Sequence, residues 1–448
     1  SCQSIRGEQR PGAIITAIHE SSGLGDGVAV SSSFVDETQI PNGPLVVSHT
    51  MPDAQSVAIG FFVDIGSRDE REDQAGMAHA LEHMLFKGTK TLDVHGLNEA
   101  LDQLGGHANA FTSRERTCFH IHVLHEDWPK AIERLTEMLL QPALPEEEWL
   151  REREVIYSEM AMVEDTPDEW VYDQHMQALY PDQTIGKPTL GTKAALSAMT
   201  HDDLRGYLEE HYRPPQLLIS VAGRIEHQEL VDTLSMVTWP QAGAEKQRSA
   251  VTLASGVQWL PRNFEQAQLV ASFPGMNVDS SEKAIAWLAN QMLGGSMSSI
   301  LFREVREKRG LAYSIGSHLS TMSDTGIWSI SCGTDPSLMG ECINVIRDSL
   351  DQFQSMISDE VVNRAKRQME VQFRMGMDSV EGHMLYLGGR MDEEELLSHL
   401  QWVDRVNAVR PEEVRVWVKD KLTQKPLWSL CAPEHVLQNV ENVGSADV

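Results

Sequence analysis

The run "SVAIGFFVDIGS", Ser56 to Ser67, is apolar at nearly every position and does not alternate with polar residues, the pattern of a strand buried on both faces. Just upstream, "QIPNGPLVVSHT" sets an Asn-Gly turn signal before a second apolar strand, so the chain opens strand-rich. "AGMAHALEHMLFKGTKT" then changes to helical spacing and is closed by Lys87-Gly88. Further along, "PKAIERLTEMLLQPALPEEEWLREREVIYSEM" predicts a helix, a short break and a longer helix opened by Pro145. The same order returns in "GECINVIRDSLDQFQSMISDEVVNRAKRQMEVQFRM", where Ser358 caps the second helix. The chain therefore reads as a duplication. The stretch from Gln241 to Gly256, "QAGAEKQRSAVTLASG", is small, polar and aperiodic and marks the join. Residues 1–33 are Gly/Ser-rich, lack an apolar leader core, and read as a flexible extension. The expected organisation is this extension, a first domain over 34–240, a linker over 241–256 and a homologous second domain over 257–448.

Length agrees with two domains, since 448 residues exceed one typical core at ~150 residues per domain. Apolar residues make up 41% of the chain, enough for globular cores, yet no apolar run approaches the ~18 residues needed to span a bilayer. A soluble protein with no membrane partner is expected. The 37 basic and 66 acidic residues leave a net charge of −29, which would repel a phosphate backbone and attract cationic segments. Nucleic acid is not an expected partner. Cys2, Cys118, Cys332, Cys342 and Cys431 are few, odd in number and far apart, which fits a reducing compartment better than a disulfide framework, and none forms a CxxC zinc pattern.

Candidate chemistry begins at "HALEH". His79 and His83 are four apart, so on a helix their rings leave one face a turn apart with Glu82 on the same side. Two imidazoles and a nearby base are what a catalytic zinc uses. The motif alone is weak, because a chain with 17 His and 66 acids produces such patterns by chance. The duplication supplies a control. Where the first half has "HALEHML" the second has "WLANQML", so His79, Glu82 and His83 fall opposite Trp287, Asn290 and Gln291. Two His leave zinc short of a third protein ligand. On the helix after Pro145, Trp149, Glu152, Ile156, Glu159 and Val163 step by three and four, which places two glutamates in the inward stripe. Burying a carboxylate without a partner is costly, and a metal is one partner that offsets it. The plainer alternative pairs these glutamates with Arg151, Arg153 or other surface groups. Against it, Glu152 and Glu159 fall opposite Ala365 and Gln372, so the half that lost the histidines also lost the carboxylates.

The inverted pattern H-x-x-E-H, with "HALEHMLFKGT", "NAFTSRERT", "REREVIYSEM" and "REKRGLAYS" in this order, resembles the pitrilysin family of zinc peptidases, which includes insulin-degrading enzyme. It is most similar to the branch of the mitochondrial processing peptidase and its bacterial relatives. The resemblance runs from about Gln39 to the 420s. It implies an α+β fold of two homologous domains, each a mainly antiparallel sheet covered by helices. It implies His79, His83 and Glu159 as ligands of one Zn2+ per chain, Glu82 as general base, and Glu152 as the supporting carboxylate behind the site. It implies that Arg306 and Tyr313, seven apart in the second half, hold the substrate and donate hydrogen bonds to the developing oxyanion. In relatives of this length the pair comes from a second subunit, so a homodimer closing as a clamshell is expected. Asn109 and Ala110 match the edge strand beside an extended substrate, and Glu169 and Asp173 match two acids that hold an arginine upstream of the cut.

The expected function is a zinc metalloendopeptidase acting on unfolded or basic peptides, presequence-like segments included. Two other classes compete: a non-catalytic structural relative of the same fold, and a peptide-binding or metal-binding module without turnover. The complete set His79, Glu82, His83 and Glu159 argues against the first. Glu82→Gln separates the second, since a binding module loses nothing by it. The expected address is a bacterial cytoplasm, with the mitochondrial matrix second.

Overall fold

The computed structural model describes residues 35–442 except 244, 245, 247, 392, 394 and 395, so the reading of residues 1–33 as an extension lies outside the described residues. The first sheet contains β1 (Asp36–Gln39), β2 (Leu45–Thr50), β3 (Ser56–Val63), β4 (His107–Thr112), β5 (Thr117–Leu124) and β6 (Leu217–Gly223), in the order β1-β2-β6-β3-β5-β4. The second contains β7 (Gly256–Pro261), β8 (Ala267–Pro274), β9 (Ala312–Thr321), β10 (Gly326–Thr334) and β11 (Leu427–Ala432), in the order β7-β11-β8-β10-β9. One pair in each sheet is parallel, β2 with β6 and β7 with β11, and the rest are antiparallel. The fold is α+β, two helix-covered and mainly antiparallel sheets.

The helices follow the duplicated order. After β3 come α1 (Met77–Leu85) and α2 (Val94–Gln103); after β5 come α3 (Trp128–Leu140), α4 (Glu146–Asp165), α5 (Pro167–Leu179), α6 (Lys193–Ala198) and α7 (His201–His211); α8 (His227–Ser235) follows β6. In the second half α9 (Lys283–Leu293) precedes β9. Then α10 (Met339–Met356), α11 (Asp359–Gly376), α12 (Val380–Leu387), α13 (His399–Ala408) and α14 (Pro411–Leu422) separate β10 from β11, and α15 (Glu434–Asn442) closes the described chain. Pro145 stands at the N-cap of α4, and the Ser358 hydroxyl accepts from Val361 N–H to cap α11. Among the described residues no helix is long and apolar enough to cross a membrane.

Why β3 is apolar throughout becomes clear from what covers it. Val57, Ile59, Phe61 and Val63 point into a core shared with Leu81 and Met84 of α1, Leu135 of α3 and Ile156 of α4. Ala58 and Phe62 point to the opposite face, where Met384 and Leu387 of α12 lie on them. A Cβ at Gly60 would collide with the Met384 side chain, so glycine there lets the helix settle onto the strand. Thus a helix from the second half of the sequence covers the first sheet. The reverse also holds: α5 lies on the outer face of the second sheet, with Val171 against Leu260, Val270 and Cys431, and Met176 and Leu179 against Ile327 and Leu427. Each buried side chain of this size contributes ~1.5–3 kcal/mol. An ion cluster around the buried Arg68 joins the halves as well, with Arg68 Nη1 2.5 Å from Glu115 and 2.7 Å from the exposed Asp324, and Arg248 2.9 Å from Asp69.

The α5 contact also has a polar centre. His175 is wholly buried, with Nδ1 2.8 Å from Ser429 Oγ and Nε2 2.7 Å from Ser272 Oγ. Ser429 donates to Gln258 Oε1, so it must accept from His175 Nδ1–H; Nε2 then accepts from Ser272, which in turn accepts from Ser329. Burial pushes the imidazole down to about 3. The unfolded chain, titrating near the ordinary ~6.5, therefore binds a proton that the folded chain refuses, and stability present above that pH declines as pH falls toward the folded value. In denaturant unfolding from pH 7 to 5 this one group should contribute up to ~1.4 kcal/mol of loss per pH unit. His175→Gln should flatten the pH dependence by that amount, whatever it costs in absolute stability; an unchanged slope would show that His175 is not the titrating group.

Candidate metal centre

Helix α1 begins at Gly76, whose φ of +97° suits glycine, and its first turn is held by Glu70. The two Glu70 carboxylate oxygens accept from Gly76 N–H at 2.8 Å and Ala78 N–H at 2.7 Å. Burial nevertheless pushes this carboxyl up to about 8, against the pull of those two donors. The helix is buried along its length, which places His79 (3% exposed), Glu82 (2%) and His83 (2%) inside the protein. Their rings and carboxylate face α4, the helix of the 3,4-spaced stripe.

There the two glutamates do different things. Glu152 Oε2 lies 3.0 Å from His83 Nδ1, and its Oε1 lies 2.7 Å from Lys87 Nζ. Burial alone would raise this carboxyl, but the hydrogen bonds to His83 and Lys87 outweigh it and hold Glu152 below the ordinary range. Glu159 Oε2 lies 3.6 Å from His83 Nε2 and 3.7 Å from His79 Nε2, beyond hydrogen-bond length, and is buried with no hydrogen-bond partner among the described residues. His79, His83 and Glu159 offer one ligand atom each, all within 4.8 Å of one another. Burial also raises Glu159 and Glu82.

This arrangement fits zinc. A tetrahedral ion with bonds of ~2.0–2.2 Å keeps neighbouring ligand atoms ~3.3–3.6 Å apart, close to the separations found between Glu159 and the two imidazoles. His83 donates Nδ1–H to Glu152, which leaves the Nε2 lone pair facing Glu159, the usual way an outer carboxylate orients a ligating histidine. Three carboxylates converge on two imidazoles and Lys87, an excess of buried negative charge that a divalent cation offsets. Among the described residues neither Arg151 nor Arg153 pairs with these glutamates: Arg151 pairs with Glu147 and Glu148, and Glu152 takes Lys87 as its cationic partner.

Glu82 belongs to the same pocket but is held from a different side. Its Oε2 accepts from Thr112 Oγ1 at 2.5 Å. Thr112 ends β4, the open edge of the first sheet, and lies two and four residues from Ala110 and Ala108, all on the face toward the α1 core. Asn109 is on the other face, and its Oδ1 accepts from Ala110 N–H. Thr112 is thus a positioning residue for Glu82. Thr112→Val should lower kcat roughly tenfold, a typical outer-shell effect, with KM and zinc content unchanged, and Thr112→Ser should restore most of it. Equal loss in Val and Ser variants would assign Thr112 to packing alone.

The other sequence-derived candidates lie elsewhere. Glu169 and Asp173 sit one turn apart on α5, Glu169 half-buried and Asp173 buried at 8% exposure. Arg306 lies in a π-helical turn, Phe302–Glu307, with its guanidinium 5.5 Å over the ring of Tyr313 at the start of β9 and 4.9 Å over Phe302. Tyr313 is 77% exposed. Among the described residues neither makes a hydrogen bond, ion pair or ring contact with the His79 group. Thr112, Lys87 and Glu70 were not singled out from sequence, although Thr112 and Lys87 stand inside the quoted motifs "NAFTSRERT" and "HALEHMLFKGT".

Comparison with known proteins agrees with this geometry. Residues 45–193 match the family model described as Insulinase (Peptidase family M16), and residues 198–369 match that of the Peptidase M16 inactive domain. A Streptomyces coelicolor protein named an uncharacterized zinc protease is 33% identical over 415 residues, covering 89% of this chain and 90% of its own. One from Bacillus subtilis, named likewise, is 33% identical over 405 residues, covering 88% and 97%. Among solved structures, a peptidase M16 inactive domain from Pseudomonas fluorescens aligns with a TM-score of 0.83 at 18% identity, over 89% of this chain and 98% of that one. A protease from Helicobacter pylori aligns at 0.82 and 18%, over 89% and 99%. At such identity these two likenesses speak for the fold.

Proposed function

Because the chain belongs to the M16 peptidase family, known also as the pitrilysin family, we propose that it is a zinc-dependent endopeptidase with one Zn2+ per chain, cutting extended, basic peptides between two copies of itself. The observation that carries this reading is the group His79, His83 and Glu159 with Glu82 anchored beside it by Thr112. His79, His83 and Glu159 would hold the ion, whose chemistry there is Lewis acidity toward water and the scissile carbonyl. Glu82 takes the proton of the attacking water and returns it to the leaving amine; the burial that raises its pKa suits a group that must carry the proton between the two steps. Glu152 fixes the His83 ring and is itself steadied by Lys87. The open edge at β4 pairs with the substrate backbone as an added strand beside Asn109 and Ala110.

Arg306 and Tyr313 complete the site from the second copy, donating to the oxyanion. What supports this is their exposure together with their lack of a contact to the metal group of their own chain. Basic substrates suit the net charge of −29 and the acid pair Glu169 and Asp173, the feature expected of the processing peptidase branch. Mixing tests the shared site. Glu82→Gln and Arg306→Ala chains, each inactive alone, should regain about a quarter of wild-type activity when combined, because half of the random dimers carry one intact composite site of two. A mixture no more active than its parents would remove the second copy from the site.

A further inference from the structure

The second half retains the helices of the metal centre without its ligands, and a cavity of about 230 Å³ stands at their junction. It lies between α9 and α11, the counterparts of α1 and α4, with Gln291 opposite His83 and Ala365 opposite Glu152. Ala365, smaller than the glutamate at its counterpart, is part of the lining. Where His83 bonds Glu152, Gln291 Nε2 donates instead to Gln368 Oε1 at 3.2 Å, and Gln368 reaches Ser298 at 3.5 Å. Asn290, opposite Glu82, is turned away as acceptor for Trp328 Nε1. The cavity has not been repacked shut; its lining has changed sign.

Two arginines face it, Arg303 and Arg364, and none of its lining residues is acidic, in a chain with a net charge of −29. Arg364 has no ion pair or hydrogen bond among the described residues. Arg303 contacts Glu304 at 3.1 Å, but that carboxylate is shared with Lys308 at 2.8 Å and Arg309 at 3.0 Å, so positive charge is left over. Beside the cations, Met292, Ile300 and Val361 give an apolar floor. Planar guanidinium groups next to amides and apolar side chains select a carboxylate attached to a hydrophobic body.

We propose that this cavity binds the C-terminal residue of a peptide, its free carboxylate on Arg364 and Arg303 and its side chain on the apolar floor. The ligand class rests on the peptidase reading, since every cut creates a new C-terminal carboxylate. The pocket itself needs neither zinc nor Glu82.

The test uses the full chain carrying Glu82→Gln, so that ligands survive, and the anisotropy of an N-terminally labelled peptide ending in leucine. The free acid should bind at least about tenfold more tightly than the C-terminal amide, the loss expected with a charge-assisted pair. Stripping zinc should leave that ratio unchanged. Arg364→Ala, at an exposed position that folding tolerates, should abolish the preference, and Arg364→Lys should keep part of it. Ala365→Glu, which puts back the carboxylate of the first half, should also abolish it by filling the space and repelling the ligand. N-acetyl-leucine should compete and inorganic phosphate should compete poorly. Equal binding of acid and amide, a preference untouched by Arg364→Ala, or phosphate competing better than N-acetyl-leucine would each overturn the assignment. Peptide cleavage by the wild-type chain, measured apart, stands or falls independently of this ratio.

Discussion

Glu82→Gln is expected to stop peptide hydrolysis while leaving zinc content at the wild-type level. Glutamine is close in shape, can still accept the Thr112 hydrogen bond, and does not replace any of the three ligand atoms of His79, His83 and Glu159. What it cannot do is take a proton from water. Loss of a positioned general base costs ~10²–10⁴-fold, and in the proposed mechanism the same carboxylate also serves the leaving amine, so the fall should reach at least that range. KM for a peptide pairing with β4 should change little, because the edge strand is untouched. Elemental analysis beside steady-state kinetics checks both halves of the expectation, and a variant that lost zinc along with activity would assign Glu82 to the ligand set instead.

Glu159→Gln is expected to lose both zinc and activity without losing the fold. The carboxylate is the only charged member of the three-ligand group, and an amide in its place leaves two imidazoles and a weak donor. Zinc affinity should therefore drop by more than the ~10–100-fold seen when an outer-shell partner such as Glu152 is removed. The stability prediction has the opposite sign. Burial and the neighbouring Glu152 raise the Glu159 pKa in the metal-free protein, so its charged form is disfavoured there and a neutral amide relieves the site. Metal-free Glu159→Gln should melt no lower than metal-free wild type. Wild type alone should gain stability on adding zinc, by ~2.7 kcal/mol when zinc is at one hundred times its Kd. Melting curves with and without zinc separate the two cases, and a zinc-dependent shift of wild-type size in the variant would remove Glu159 from the ligands.

The parts of this protein legible in its sequence are those governed by local spacing. His79, Glu82 and His83 are set by one helical turn, and Glu152 and Glu159 by the stripe of α4. Their absence from the second half made the group readable as a unit before any contact was known. Residues whose role depends on a distant partner left no such trace. Thr112 reaches Glu82 across 30 positions and Lys87 reaches Glu152 across 65, and each taken alone is an ordinary strand threonine or helix-end lysine. The apolar run of β3 announced burial on both faces, but not that α12 from the other half would cover one of them. Likewise His175 looks like any helical histidine until α5 is laid on Ser272 and Ser429 of the second sheet. Arg306 and Tyr313 mark the same limit, since their partners are expected on another chain.

On the proposed function, one zinc held by His79, His83 and Glu159 makes this chain a peptidase. The most direct test strips the metal with a chelator, restores zinc in steps, and follows zinc per chain together with cleavage of an arginine-containing, presequence-like peptide. Cleavage should vanish on stripping and return in proportion to bound zinc, reaching full rate at one ion per chain. Cleavage that persists without zinc, or a zinc-replete wild-type chain that cuts neither this peptide nor a neutral one, would contradict that function.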